Sequence, residues 1–373
     1  VRALFVTTGY PTPSSPASGI FVREHARAAA RHASVAVLHL DRSTTHRGLP
    51  RVTRVDDEPF PTVRVTYPWS PTPASMSLHF AAAAQGWKAI RRDGFRPDLV
   101  HSSFFLAGVP GDLLARRLRV PAVVTEHWSV FLPDDPMELT PMLRRGAAFA
   151  FRNADVVLPV SEALRKGIEA QGLRARRFRV VPNAVDTDLF ALGDEQRNGR
   201  LVAVGLLYDA KAYDVLLRAV ATLDVDLDIV GDGPLRAELE ALAQSLGIGE
   251  RVRFHGVLPK PEVARLMREA ELFVLASRYE NNPCSLMEAL ATGLPVVATA
   301  VGGVPELVTA ANGRLAPAGD AERLAAEIRS ALDARGSFDR AAISADARSR
   351  YGIEAVGEQL AEVYASVLRD SRT

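Results

Sequence analysis

Cysteine occurs once in this 373-residue chain, as Cys284. Neither an intramolecular disulfide nor a cysteine-built zinc site is available, which suits a reducing compartment. Lysine is almost as scarce, with Lys88, Lys166, Lys211 and Lys260 set against 41 arginines. A lysine placed in a loop therefore stands out. Long apolar runs are missing too, since none reaches the roughly 18 residues a membrane span requires. Val1 opens almost directly onto Ala3-Leu4-Phe5-Val6 without a charged leader or cleavage site, so a cytoplasmic location is expected.

Net charge is nearly absent at +1, but it hides a division: residues 1–183 hold 25 Lys+Arg against 15 Asp+Glu, the remainder 20 against 29. The parts carry about +10 and −9. That excess favours an anionic partner, or peripheral contact with a membrane, for the first part, although a run such as Arg174 to Arg179 is more often a solvated face. No recognition motif with interleaved aromatics accompanies it, which argues against nucleic acid.

What is present is a regular alternation. Short β-branched runs alternate with amphipathic Ala/Leu/Arg-rich stretches, the pattern of parallel strands joined by crossover helices. Strands are expected at 3–7, 34–40, 62–67, 99–101, 122–125, 156–159 and 178–181, then at 201–204, 227–230, 252–255, 272–275 and 296–298. The length exceeds what one core usually serves, and 47% hydrophobic content fills two. Two doubly wound α/β domains follow, at 1–183 and 184–352, divided at Pro182-Asn183-Ala184-Val185-Asp186 and the polar segment 193–199. The spacing of Val356, Leu360, Val363, Tyr364 and Val367 predicts a last helix within 353–373. Two such domains facing each other would bind ligands in a cleft beyond the carboxyl ends of their strands.

Four post-strand loops hold the candidates. Gly19, at a helix entrance after the first strand, permits close approach of a phosphate to free N–H groups, or is simply a turn glycine. Gly205-Leu206-Leu207-Tyr208-Asp209-Ala210-Lys211 carries one of the rare lysines, placed to neutralise a diphosphate if it is not merely solvated. Gly231-Asp232-Gly233-Pro234 is fully explained as a helix start, with Pro234 first in the helix. In the fourth, Glu280-Asn281-Asn282-Pro283-Cys284-Ser285-Leu286-Met287-Glu288, Pro283 marks a helix start. The N–H groups of Cys284 and Ser285 are orphan donors at its positive end. Glu280 precedes the helix, where a carboxylate can accept from sugar hydroxyls. Glu288, more than one turn along, can reach a ribose diol, unless both acids are a routine dipole effect.

At this loop the sequence resembles the retaining GT-B glycosyltransferases often called family 4, whose hallmark is two glutamates separated by seven residues, here Glu280 and Glu288. The likeness extends through Gly293-Leu294-Pro295, Gly302-Gly303-Val304-Pro305-Glu306, Gly231-Asp232-Gly233-Pro234, Pro182-Asn183-Ala184-Val185-Asp186 and Thr125-Glu126-His127. It implies two Rossmann-like domains, the first holding the acceptor and the second a nucleoside diphosphate sugar, with the last helix crossing back to the first. Glu280 would contact the donor sugar, Glu288 the ribose, Lys211 the diphosphate, and Gly19 the phosphates across the cleft. Gly205, Asn281, Asn282, Cys284, Ser285 and Leu286 complete the donor loops. By the same resemblance His127 is the candidate sugar-proximal histidine, with His101 second, unless either is a satisfied structural imidazole, and His101, Ser103 and Arg23 are acceptor-side candidates. Three positions depart from the family. Leu206 stands where an arginine is usual, Ala212 where a glycine follows the lysine, and Ser103 where a histidine is frequent.

The resulting expectation is retaining transfer of a hexose from UDP or GDP to an acceptor hydroxyl, with no cofactor and no metal. No Asp-x-Asp cluster is placed to bind a cation, because Asp224-Val225-Asp226-Leu227-Asp228 reads as the solvent face of a strand. The acceptor stays open, with an anionic or lipid-linked one suiting the basic first domain. Rival readings are a nucleotide-sugar-binding protein without catalysis, suggested by Leu206, and an epimerase or phosphorylase on the same architecture.

Overall fold

The computed structural model describes residues 1–13, 15, 18–68, 73–194 and 197–371. Part of the polar segment 193–199 lies outside them. Two compact units result: Val1–Phe131, Met137–Ala184 and Ile353–Thr373 make the first, and Leu132–Pro136 with Val185–Gly352 the second.

The first unit has strands β1 (Arg2–Thr7), β2 (Ser34–Ser43), β3 (Arg51–Val55), β4 (Thr62–Pro68), β5 (Leu99–Ser103), β6 (Ala122–Glu126) and β7 (Val156–Pro159). Helices α1 (Ile20–Ala30), α2 (Pro73–Arg92), α3 (Phe105–Leu118), α4 (Pro141–Asn153) and α5 (Glu162–Ala170) connect them. The sheet order is β3-β4-β2-β1-β5-β6-β7, parallel except for β3. Strand alternation sends Ala3 and Phe5 into the core shared with α1, and Leu4 and Val6 into the core shared with α2 and α3. Burial on both faces is why these strands read as continuous apolar runs.

Two expectations fail here. Edge strand β3 was not anticipated, because Arg51-Val52-Thr53-Arg54-Val55 is largely exposed and has no apolar run. Conversely, 178–181 is an extended segment laid along β7, with one bridge, Val157 to Phe178, and bonds such as Arg179 N–H to Val157 O. Pro182 stops it before a ladder can form.

The second unit has β8 (Leu201–Val204), β9 (Leu227–Val230), β10 (Val252–Gly256), β11 (Leu272–Leu275), β12 (Val296–Thr299) and β13 (Gly313–Ala316). Its helices are α6 (Tyr213–Ala221), α7 (Arg236–Ser245), α8 (Lys260–Glu269), α9 (Cys284–Ala291), α10 (Ala321–Asp333) and α11 (Arg340–Tyr351). The order β10-β9-β8-β11-β12-β13 is wholly parallel. Strand β13 was missed, its Gly313 and Arg314 masking a four-residue strand. Pro234 sits in the turn before α7, whose N-cap is Leu235. Asp228 is not on a solvent face: it is buried and bonds Arg200 at 2.7 Å and His255 at 2.7 Å.

The last helix, α12 (Ile353–Asp370), belongs to the first unit and packs on α1. The change of unit falls one residue beyond the expected 183/184 boundary, because Ala184 is buried in the first core and Val185 in the second. Residues 132–136 also leave the first unit, as Leu132 lies against the Gly302 turn. Both sheets are the doubly wound kind expected of a GT-B chain, and each reverses its winding once, between β1 and β5 and between β8 and β11.

Candidate functional site

A switch of winding direction splays the two flanking loops apart and opens a crevice at the strands' carboxyl ends. In the second unit those loops carry Lys211, after β8, and Glu280, after β11. They are fastened together. Arg278 N–H donates to Ala210 O at 2.8 Å, and its guanidinium reaches Asp214 at 3.1 Å. Lys211 Nζ forms an ion pair with Glu280 Oε1, which also accepts from Ser277 Oγ at 2.8 Å. Thr299 in turn holds the Ser277 carbonyl at 2.6 Å. The Lys211 stem runs past Gly205, where a Cβ would lie 3.7 Å from Lys211 Cε. Gly302 has φ +48°, and a Cβ there would come 1.7 Å from the Glu280 carbonyl oxygen. The Gly302-Gly303 turn therefore sets the position of the Glu280 backbone.

Glu288, one face of α9 away, meets Lys260 Nζ at 3.5 Å. Two of the four lysines thus answer the two glutamates. Lys260 was missed at the sequence level, although its rarity was the available signal. Asn281 and Asn282 are buried in the loop, Leu286 is buried beneath it, and Cys284 and Ser285, in the first turn of α9, are half-buried. Leu206 is 47% exposed, so it packs in no core. Ala212 takes the left-handed conformation, φ 47°, ψ 43°. This is the conformation that favours glycine, and alanine holds it at a cost of about 1–2 kcal/mol.

In the first unit, Gly19 caps α1 with φ +66°, and a Cβ there would strike the Gly9 carbonyl carbon at 2.4 Å. His127 is buried among Phe21, Phe104 and His25, with Nδ1 2.9 Å from Asn183 Oδ1. Burial keeps His127 neutral, as it does His25, lowered to about 4, whose Nε2–H donates to Pro182 O at 2.7 Å. Phe104 has φ 68°, ψ 144° directly after β5, a strained non-glycine position at the switch point. Glu126 is fully buried and accepts from the N–H groups of Phe105, His127 and Trp128. Burial pushes its carboxyl up to about 7, partly offset by those donors.

The acceptor-side candidates fare differently. Both ring nitrogens of His101 are engaged, with Tyr364 Oη at 2.7 Å and Thr125 Oγ1 at 2.6 Å, and its pKa falls to about 3 through burial. His101 ties β5 to α12. Ser103 is also fully buried, and Arg23 is paired with Glu24 and Glu58 at 3.4 and 3.9 Å. His101 and Ser103 present no open side chain, and Arg23 keeps its side chain 21% exposed. In the Arg174 to Arg179 run, three of the four arginines, Arg176, Arg177 and Arg179, meet Asp155, Asp370 and Glu362. No helix among the described residues is long and apolar enough to cross a membrane.

Comparison with known proteins agrees with this geometry. Residues 186–350 match the family described as glycosyl transferases group 1, and residues 18–189 match glycosyltransferase family 4. The chain is 35% identical over 311 residues to D-inositol 3-phosphate glycosyltransferase 1 of Catenulispora acidiphila, covering 74% of this chain and 73% of that one. It is 34% identical over 251 residues to the D-inositol 3-phosphate glycosyltransferase of Mycobacterium tuberculosis, covering 61% of this chain and 52% of that one. The chain thus spans about half the length of its mycobacterial relative. Among solved structures, sucrose-phosphate synthase of Thermosynechococcus elongatus aligns with TM-score 0.79 at 20% identity, over 99% of this chain and 100% of that one. Anabaena HepE in complex with UDP aligns with TM-score 0.76 at 21% identity, over 98% and 100%.

Proposed function

The chain belongs to the group 1 glycosyltransferases, and from that premise we propose that it moves a hexose from UDP or GDP to an acceptor hydroxyl, with retention and without a metal ion. The observation that carries this reading is the Lys211–Glu280 pair at the β8/β11 switch point. Breaking a sugar–phosphate bond puts positive charge on the sugar and leaves an electron pair on the departing diphosphate. Lys211 and the N-terminus of α9 serve the second charge as preorganised donors. Glu280 orients the sugar, and Glu288 the ribose. The acceptor oxygen bonds the anomeric carbon on the face the diphosphate leaves, and its proton passes to a diphosphate oxygen. Binding without catalysis is the second reading, favoured only by Leu206.

Transfer from UDP- or GDP-hexose should persist in excess EDTA and give a product with the donor's anomeric configuration, read by NMR coupling constants. Inversion, or loss of turnover restored by Mg²⁺, would overturn the mechanism. A second expectation follows from the exposure of Leu206. Leu206→Arg should leave the melting temperature unchanged and tighten nucleoside diphosphate binding several-fold, measured by calorimetry, as an exposed guanidinium can meet phosphate. Unchanged affinity would remove position 206 from the donor site.

A further inference from the structure

The first unit carries a cavity where a doubly wound sheet takes its ligands, beyond the carboxyl ends of β1, β2, β4 and β5. Phe105, Leu106, Val109, Met142 and Leu143 form its apolar wall, and its volume is about 90 Å³. That is somewhat below the ~150 Å³ of an apolar cavity that takes up benzene. Phe105 is held still, fully buried and stacked on Trp128 at 5.8 Å.

Two of the four polar side chains in this wall, Tyr67 and His79, are already committed. Tyr67 Oη lies 2.5 Å from His79 Nδ1, and His79 Nε2 lies 3.1 Å from the Leu106 carbonyl. A carbonyl only accepts, so the proton sits on Nε2 and the tyrosine donates to Nδ1. Burial lowers the His79 pKa, so the imidazole stays neutral and Arg42 is the cation of the wall. Thr8 and Arg42 are shared with a wider polar groove of about 660 Å³ that also includes Arg51 and Arg64. A polyol ring pressed against Phe105, Leu106, Val109, Met142 and Leu143 would give up hydration without recovering hydrogen bonds there. An apolar ring gains there by leaving water.

We propose that this cavity seats an apolar ring of the acceptor, so that the chain glycosylates an alcohol with an aromatic or alicyclic body and not the phosphorylated cyclitol named for its relatives. The word acceptor rests on the glycosyl-transfer reading above; the occupant of the cavity does not. Gly146, in α4, lines the cavity, and a Cβ there would make ordinary contact with Phe105 at 3.9 Å. Its backbone is helical, so Gly146→Leu plugs the space without strain.

Saturation-transfer NMR on the full chain, with benzyl alcohol and D-inositol 3-phosphate offered together, tests the assignment. Benzyl alcohol should receive saturation from the wild type and at least tenfold less from Gly146→Leu. Val109→Asn, which places an amide in the wall, should weaken the same signal and serves if the plugged variant does not melt cooperatively. No benzyl alcohol contact, contact unchanged in both variants, or loss of the inositol phosphate signal on plugging would overturn the proposal. A thermal shift with UDP or GDP is read separately. Its absence would count against the donor reading and leave the cavity result standing.

Discussion

Lys211→Ala should slow glycosyl transfer by roughly a hundredfold or more, a loss on the order of 3 kcal/mol of transition-state stabilisation. The size follows from how few cations the second unit's switch point offers. Leu206 supplies none, and Arg278 is engaged by Asp214 at 3.1 Å. Charge builds on the diphosphate as the bond breaks, so the deficit should fall on kcat more than on donor KM. The melting temperature should change little, because the Lys211 side chain is 26% exposed and its ion pair is partly screened. Lys211→Arg should rescue poorly. A planar fork cannot follow the path of a slim stem past Gly205 and present a point charge. Steady-state kinetics of both variants check this, and a kcat within a few-fold of wild type for Lys211→Ala would show that another group holds the leaving phosphate.

Gly302→Ala should be nearly as damaging although Gly302 is assigned no ligand. At φ +48° an alanine is strained, and its methyl would overlap the Glu280 carbonyl oxygen. Backbone strain of this kind costs about 1–3 kcal/mol, and the natural relief is a shift of the Glu280 loop away from Lys211. A drop in kcat of tenfold or more is expected, together with a lower melting temperature and near-normal binding of free nucleoside diphosphate. Wild-type turnover in a folded Gly302→Ala protein would mean that the Glu280 backbone is not set by this turn.

Much of this arrangement was legible in the residues. Buried parallel strands announce themselves, since Ala3-Leu4-Phe5-Val6 has to be apolar on both faces. Strands β3 and β13 did not, because an edge strand can be built from arginine, threonine and glycine. The rarity of lysine pointed to Lys211 and should have pointed to Lys260. What could not be read was which polar residues are walled in. His101 and Ser103 occupy suggestive positions in the chain, but only the packing of α12 on β5 shows His101 spent on Tyr364 and Thr125. Nor does sequence reveal that Ala212 is left-handed, a conformation imposed by the turn between β8 and α6 against the residue's own preference.

Helix α12 also orders events during synthesis. Val356, Leu360, Val363, Tyr364 and Val367 complete the core that α1 begins more than 300 residues earlier. While the ribosome is still translating the second unit, the α1 face of the first sheet is covered only in part and His101 lacks its tyrosine. The second unit, built almost entirely from the continuous stretch Val185–Gly352, has emerged before that face can close. Contacts so distant in sequence form slowly and leave apolar surface open to chaperones or to other nascent chains. The half of the molecule made first is the half that finishes folding last.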